Sequence, residues 1–335
     1  MSSMLQDILE ASVSLNSLSL MINDIRSLGS LHSGVGRVFL VGAGSSYYAS
    51  MYAASHALGS GLSKCIYAVP SSEFIYNYSK IADSLSLVIA VSRSGETAET
   101  LEALRVAKGN GAKTIMVSIS EGGRNVKYID HYVFVNIGQE RSVVMTKSFI
   151  TLSATAAVLL KSIIGIDQDF MGIIRGLSNC MDNVIKNNDL SSELRGITDD
   201  WVNNDVRRFI FLGHGSSYPI ALEAALKFEE TSYVAVQALN TLEFRHGPVA
   251  TIGEKQAIIM LNQLGEMNNA AVKLFNELRE RSKGTETRVI MITNNDDLRG
   301  LENVIHVPCR TGAEEWGALA LILPIYLLAN QHALR

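Results

Sequence analysis

The 335-residue chain contains itself twice, and no other feature limits its possible folds so strongly. VFLVGAGSSYYASMYAASHAL at 38–58 has a partner in IFLGHGSSYPIALEAALKF at 210–228. Both read as an apolar strand, then Gly-x-Gly-Ser-Ser-Tyr, then a helix. Further along, LVIAVSRSGE at 87–96 matches AIIMLNQLGE at 257–266, and KTIMVSIS at 113–120 matches RVIMITNN at 288–295. HYVFVN at 131–136 matches NVIHVP at 303–308. The offset between partners stays near 170 residues throughout. Short strands rich in β-branched residues alternate with helical patterns in each half, the mark of a parallel, doubly wound sheet. The expectation is an α/β chain of two tandem flavodoxin-like domains: 35–170 and 190–335, preceded by a helical segment over 1–34.

The copies differ at one turn. In the first, the strand at Leu87–Ala90 runs into Ser92-Arg93-Ser94-Gly95-Glu96-Thr97. A strand-to-helix turn needs only one capping side chain and one glycine, and Ser94 could serve as N-cap of a helix from about Gly95 to Gly109. That explanation leaves Ser92, Arg93 and Thr97 without a purpose. Hydroxyls and free N–H groups converging at a helix start suit an anion, most often a phosphate. The second copy reads Asn262-Gln263-Leu264-Gly265, with every hydroxyl gone. Folding the turn therefore does not require them, and the anion site belongs to the first half. Ligands of open parallel sheets bind beyond the carboxyl ends of the strands, where Gly44, Ser45 and Ser46 also fall. A dinucleotide fingerprint would need a third glycine and an acid about twenty residues on. A tyrosine stands in the glycine's place, so that reading is rejected.

Charge and composition exclude other classes. A net charge of −4 with no basic block argues against nucleic acid as a partner. No run of 18 apolar residues free of polar breaks occurs; ALALILPIYLLA near the end comes closest, but it is short and contains Pro324, and it reads as a buried helix. The N-terminal MSSMLQDILEASVSLNSLSL has acids inside its apolar stripe and reads as an amphipathic helix rather than a signal peptide. Cys65, Cys180 and Cys309 are far apart and odd in number. They have no metal-ligand spacing and read as reduced, partly buried thiols of a cytoplasmic protein. No metal or organic cofactor is expected.

Two acid–base candidates lie in the second half. ALEAALKFEETSY places Glu223, Lys227 and Glu230 at i, i+4, i+7, on one helix face. Spacing alone favours a solvated salt-bridge face there. In TLEFRHGPVATI, His246 precedes Gly247-Pro248, and a histidine held against a rigid turn suits proton transfer near neutral pH. It could equally be a satisfied structural group.

SRSGETAET, VVMTKSF at 143–149, LEAALKFEETSY and EFRHGP together resemble the sugar isomerase (SIS) family, in particular its glutamine–fructose-6-phosphate aminotransferase branch. The likeness runs from about residue 35 through both repeats, in order. It implies that Ser46, Ser92, Ser94 and Thr97 hold a sugar phosphate together with Gly44 and Ser45, with Arg93 where the synthases have a glutamine. It implies that Val143 lines the sugar and that Glu230 moves a proton between C1 and C2, with Lys227 one turn earlier. It further implies that His246 opens the ring and is lent by the neighbouring subunit of a homodimer. With the first repeat reached by residue 38, no glutaminase domain is expected ahead of it. It stops at Arg335 without a counterpart of the imine-forming lysine of the family's tail. The resemblance thus suggests an amino sugar 6-phosphate isomerase run as a deaminase: glucosamine 6-phosphate to fructose 6-phosphate and ammonia. A fructosamine-6-phosphate deglycase and a non-catalytic sugar-phosphate sensor are the alternatives.

Overall fold

The computed structural model describes residues 1–57 and 64–335. Of the first helix-forming run at 38–58, only Leu58 lies outside the described residues. Three short helices open the chain: α1 (Ser3–Leu9), α2 (Ala11–Ser19) and α3 (Ile22–Leu31). The first repeat follows as β1 (Arg37–Gly42), α4 (Ser45–Ser55), β2 (Cys65–Pro70), α5 (Ser71–Tyr76), β3 (Ser86–Ser92), α6 (Ala98–Gly109), β4 (Lys113–Ser118) and β5 (His131–Phe134). The helices α7 (Lys147–Ile163), α8 (Phe170–Lys186) and α9 (Asn188–Asn203) come next. The second repeat runs β6 (Arg208–Gly213), α10 (Ser217–Ser232), β7 (Ala235–Asn240), β8 (Gln256–Asn262), α11 (Asn268–Ser282), β9 (Thr287–Thr293), β10 (Val304–His306) and α12 (Ile322–Ala333).

Each repeat builds one five-stranded sheet, in the orders β2-β1-β3-β4-β5 and β10-β9-β8-β6-β7, and every pairing is parallel. Counted within its own repeat, the second sheet has the same order as the first, the flavodoxin-like 2-1-3-4-5. The expected fold class holds. The central strands β3 and β8 are buried along their whole length, which is why they read as unbroken apolar runs. In the first sheet β1 sits between β2 and β3, with Val41 beside Ala90. The turns after β1 and β3 therefore emerge side by side at the topological switch point.

The chain divides into two compact units. One holds Val13–Glu140 and Met145–Ile174; the other holds Met1–Ser12, Arg141–Val144 and Arg175–Arg335. In the first-repeat unit α7 is buried on nearly every side and packs on α3 closely enough that a Cβ at Gly29 would sit 2.3 Å from Ser162 Cβ. In the second, Pro324 is the third residue of α12. Its missing N–H falls where a helix start needs none, so the proline opens the helix instead of breaking it. The amphipathic N-terminus is broken at Glu10 and at Leu20–Met21, into three pieces rather than one. Among the described residues no helix is long and apolar enough to cross a membrane.

The cysteines correct the sequence reading. Cys180 on α8 and Cys309 after β10, 129 residues apart, form a disulfide with their Cα atoms 4.7 Å apart. Spacing along the chain carried no hint that these segments converge. Cysteine usage therefore gives no support for a reducing compartment. Cys65 alone is free, and it is exposed.

Candidate functional site

The first cluster lies in the first-repeat unit, on the two turns at the switch point. After β1, Gly44 takes φ +54 and ψ −130, a conformation open essentially to glycine alone, and this sharp turn starts α4 at Ser45. Ser45 and Ser46 are buried in its first turn, and Ser46 Oγ lies 3.9 Å from Met145 Sδ. After β3, the turn is wound on its own hydroxyls. Ser92 Oγ accepts the Gly95 N–H at 3.1 Å and lies 3.2 Å from Thr97 Oγ1. Ser94 Oγ accepts the Glu96 N–H at 3.1 Å, and Ser118 Oγ donates to the Arg93 carbonyl at 3.0 Å. Gly95 has φ +71, and a Cβ there would meet Tyr132 Oη at 2.4 Å.

Ser94 is not the helix cap that local sequence allowed. The helix begins at Ala98 behind Thr97, whose side chain makes no capping bond. Ser94 is exposed and Ser92 fully buried. The turn thus separates its tasks: Ser92 shapes the loop, while Ser94, Thr97 and Arg93 reach the surface to different degrees.

Sequence reasoning missed the residue that anchors Arg93. Glu140, whose side chain is only 3% exposed, lies 3.4 Å from Arg93 Nη1. The same carboxylate accepts the N–H groups of Thr146 (2.9 Å) and Ser148 (3.0 Å) and the Ser148 hydroxyl (2.6 Å). It therefore caps α7, where a negative charge is favoured by the helix dipole. Buried Lys147 donates to the Gln139 carbonyl at 2.8 Å and fixes the same loop. An acid six residues ahead of Thr146-Lys147-Ser148 was the only signal available in the sequence.

Val143 belongs to the other unit and is 89% exposed. Its segment hangs from Asp7 of α1, a fully buried carboxylate that accepts the N–H groups of Arg141 (2.9 Å) and Ser142 (2.7 Å). The acids inside the N-terminal apolar stripe were the visible trace of this role. Arg141 also pairs with Glu10 at 2.7 Å.

The second cluster is on α10, in the second-repeat unit. Lys227 and Glu223 are both fully buried, with Lys227 Nζ 3.4 Å from Glu223 Oε1. Lys227 also bonds Glu230, whose side chain is 36% exposed at the end of the helix. Tyr326 donates to Glu223 Oε1 at 3.2 Å. The solvated salt-bridge face favoured by spacing is not what forms. Two of its three members are core residues, and only Glu230 reaches solvent. His246 follows a 3-10 turn (Glu243–Arg245) and is exposed ahead of Gly247, whose φ is +119. His214, in the second Gly-x-Gly, lies 3.4 Å from Thr241 Oγ1, and burial lowers its pKa. Among the described residues no group of three or more His, Cys, Asp or Glu side chains is placed to hold a metal ion.

Fold and turns together define a duplicated, doubly wound α/β protein with one hydroxyl-rich turn, after β3. The chain belongs to the SIS domain family, whose model matches residues 33–162 and 204–300. It is 30% identical over 304 residues to a glutamine–fructose-6-phosphate aminotransferase (isomerizing) of Pyrococcus horikoshii, covering 88% of this chain and 48% of that one. The chain thus spans about half the length of such relatives. Among solved structures, the C-terminal domain of glucosamine-fructose-6-phosphate aminotransferase from Francisella tularensis superposes with a TM-score of 0.85 at 23% identity, covering 100% of this chain and 96% of that one. A glucosamine-6-phosphate deaminase from Thermotoga maritima gives 0.73 at 23% identity, covering 99% and 94%. These likenesses in structure establish the shared fold.

Proposed function

We propose that the protein is a sugar-phosphate isomerase-type enzyme acting on an amino sugar 6-phosphate, run as a deaminase. One observation supports it above the others. A fully buried lysine holds the one carboxylate of its cluster that faces solvent. Burying an ammonium between two acids is costly, and a helix that needed only solubility would leave it in water. Held this way, Glu230 is a fixed base at the end of a rigid helix, which suits proton transfer between adjacent carbons.

In this reading Ser46, Ser94, Thr97 and Arg93 bind the phosphate through charge-assisted hydrogen bonds, on a loop that Ser92, Gly44 and Ser45 shape. Val143 lines the sugar. His246, lent by a second copy of the chain, moves the proton that opens the ring. Glu230 then takes the C2 proton of the open aldose, leaving an enolamine, and returns it at C1. The product is a ketose imine, which water hydrolyses to ketose 6-phosphate and ammonia. Lys227 keeps the Glu230 carboxylate in place.

The test is a panel of amino sugar 6-phosphates and fructosamine 6-phosphates, with released ammonia or amine as readout. Glu230→Gln should lower turnover on the best substrate ~10²–10⁴-fold with little change in KM. Glu229→Gln, exposed and about 100° round the helix, is the control. Full activity of Glu230→Gln would defeat the assignment. Release from fructosamine phosphates alone would make the enzyme a deglycase. Mixing inactive Glu230→Gln with inactive His246→Ala should restore some activity through hybrid dimers. A dead mixture after verified subunit exchange would remove the shared site.

A further inference from the structure

The buried charge row on α10 has a fourth member, and it comes from another helix. Tyr326 on α12 is fully buried, and its hydroxyl donates to Glu223 Oε1 at 3.2 Å. Lys227 Nζ approaches the same oxygen, at 3.4 Å. One carboxylate oxygen thus serves two donors, a neutral hydroxyl from α12 and an ammonium from α10 itself.

The distances show which way the lysine leans. At 3.4 Å from Glu223 it stands outside the roughly 2.7–2.9 Å of a charge-assisted N–H···O bond, whereas it bonds Glu230 directly. Charge attraction alone would favour the opposite arrangement. Glu223 is fully buried and Glu230 is 36% exposed, and two charges attract more strongly where water is excluded. Something must offset the pull of Glu223, and the donor already seated on its Oε1 does so. A hydroxyl hydrogen takes up part of that oxygen's acceptor capacity, leaving less of it for the ammonium.

The tyrosine is presented by a well-anchored helix. The stretch of α12 from Ile322 to Asn330 is buried throughout. The His332 ring lies 5.9 Å from that of Phe228, which follows Lys227 on α10. Thr198 of α9 donates to Gln331 Oε1 at 3.3 Å.

We propose that Tyr326 is a positioning residue for Glu230, acting through Glu223 and Lys227. By holding the inner carboxylate it leaves the lysine to grip the outer one. Its effect on turnover rests on the reading of Glu230 as the base; its hold on Glu230 does not.

The test is carbon NMR of the full chain, labelled at the glutamate side-chain carboxyls and held at one pH. Loss of a signal in Glu230→Gln identifies the Glu230 resonance. Tyr326→Phe removes one oxygen and keeps the ring. It should send Lys227 inward and move the Glu230 resonance toward that of Glu229, which is exposed. Glu223→Gln removes the competing charge, so Tyr326→Phe/Glu223→Gln should bring the resonance back. In the Glu223→Gln background the tyrosine should therefore make no difference. Turnover of the best amino sugar 6-phosphate should follow the same order. It should be about tenfold or more lower in Tyr326→Phe at unchanged KM, and recover in the double variant.

An unmoved Glu230 resonance in Tyr326→Phe would overturn the proposal. So would a shift that Glu223→Gln fails to reverse, which is how a tyrosine that only fills space behaves. Should Tyr326→Phe not fold, the comparison within the Glu223→Gln background decides, and a shift there refutes the proposal. Resonances that move as expected with unchanged turnover would instead remove Glu230 as the base. The proposed function would then fail while the hold of Tyr326 stood.

Discussion

Replacing Lys227 by Met should be among the most destabilising single changes on α10. The two side chains are similar in length, so packing is nearly kept while the ammonium is lost. What remains is decided by the two carboxylates it served. Glu230, 36% exposed, can turn to water at little cost. Glu223 cannot: its side chain is fully buried, and Tyr326 remains as a donor at 3.2 Å. Stranding a buried charge in this way costs about 3–5 kcal/mol. Adding Glu223→Gln removes that charge and keeps an acceptor for Tyr326, so the double variant should cost under about 2 kcal/mol, because a buried pair is often replaced at little cost by groups of similar volume. The assay is urea unfolding of wild type, both single variants and the double variant, read as a thermodynamic cycle with a coupling of about 2 kcal/mol or more. A Lys227→Met cost below about 1 kcal/mol, or strict additivity, would show that Glu223 does not depend on the lysine, and the account of Glu230 as a lysine-held base would lose its foundation.

Ser94→Ala should weaken binding of a sugar 6-phosphate by roughly 1.5–3 kcal/mol without moving the melting temperature, whereas Ser92→Ala should lower both, because Ser92 Oγ also holds the Gly95 N–H; calorimetry and thermal melts separate the two. Cys180→Ser/Cys309→Ser should lower stability by roughly 2–5 kcal/mol, since the bridge closes a 129-residue loop; equal urea midpoints with and without the bridge would contradict this. Stability should also fall as pH drops below about 6.5. Burial lowers the pKa of His32, with His131 adding to the effect, and burial likewise lowers His214, His306 and His332, the last packed on Phe209 and Phe228. The unfolded chain then binds more protons than the folded one between the folded values and about 6.5, so the stability is complete above that pH and lost below it. His332→Phe should flatten the slope of urea midpoint against pH, and an unchanged slope would exclude His332 as a contributor.

The duplicated sheet was legible because strands buried on both faces have little freedom of composition. Leu87–Val91 and Ala257–Leu261 could scarcely be anything else. The hydroxyl-rich turn stood out through contrast, since one copy kept its hydroxyls and the other did not. Three features were hidden for different reasons. The helix start moved from Ser94 to Ala98 because the hydroxyls bond within the turn, a competition that local propensity does not weigh. Spacing showed that Glu223, Lys227 and Glu230 share a face but not that this face turns inward at Lys227. Ala224, Ala225 and Phe228 beside them were the clue that α10 is buried almost all round. Glu140, Asp7 and the Cys180–Cys309 bridge act on segments distant in the chain, and no periodicity in a single sequence records such meetings.

The hold of Asp7 on Arg141 and Ser142 has a practical side for anyone handling the protein. The first turns of a chain are where affinity tags are fused and where trimming is thought harmless. Here α1 is also tied by Ser2 to Asn330 of α12, and its carboxylate suspends the strip of backbone that carries Val143. Cutting α1 away would therefore act at a distance of some 135 residues, leaving two amides without their acceptor beside the residue proposed to line the sugar. Amide hydrogen exchange at Arg141 and Ser142 would report whether a tag at the N-terminus has left that suspension intact.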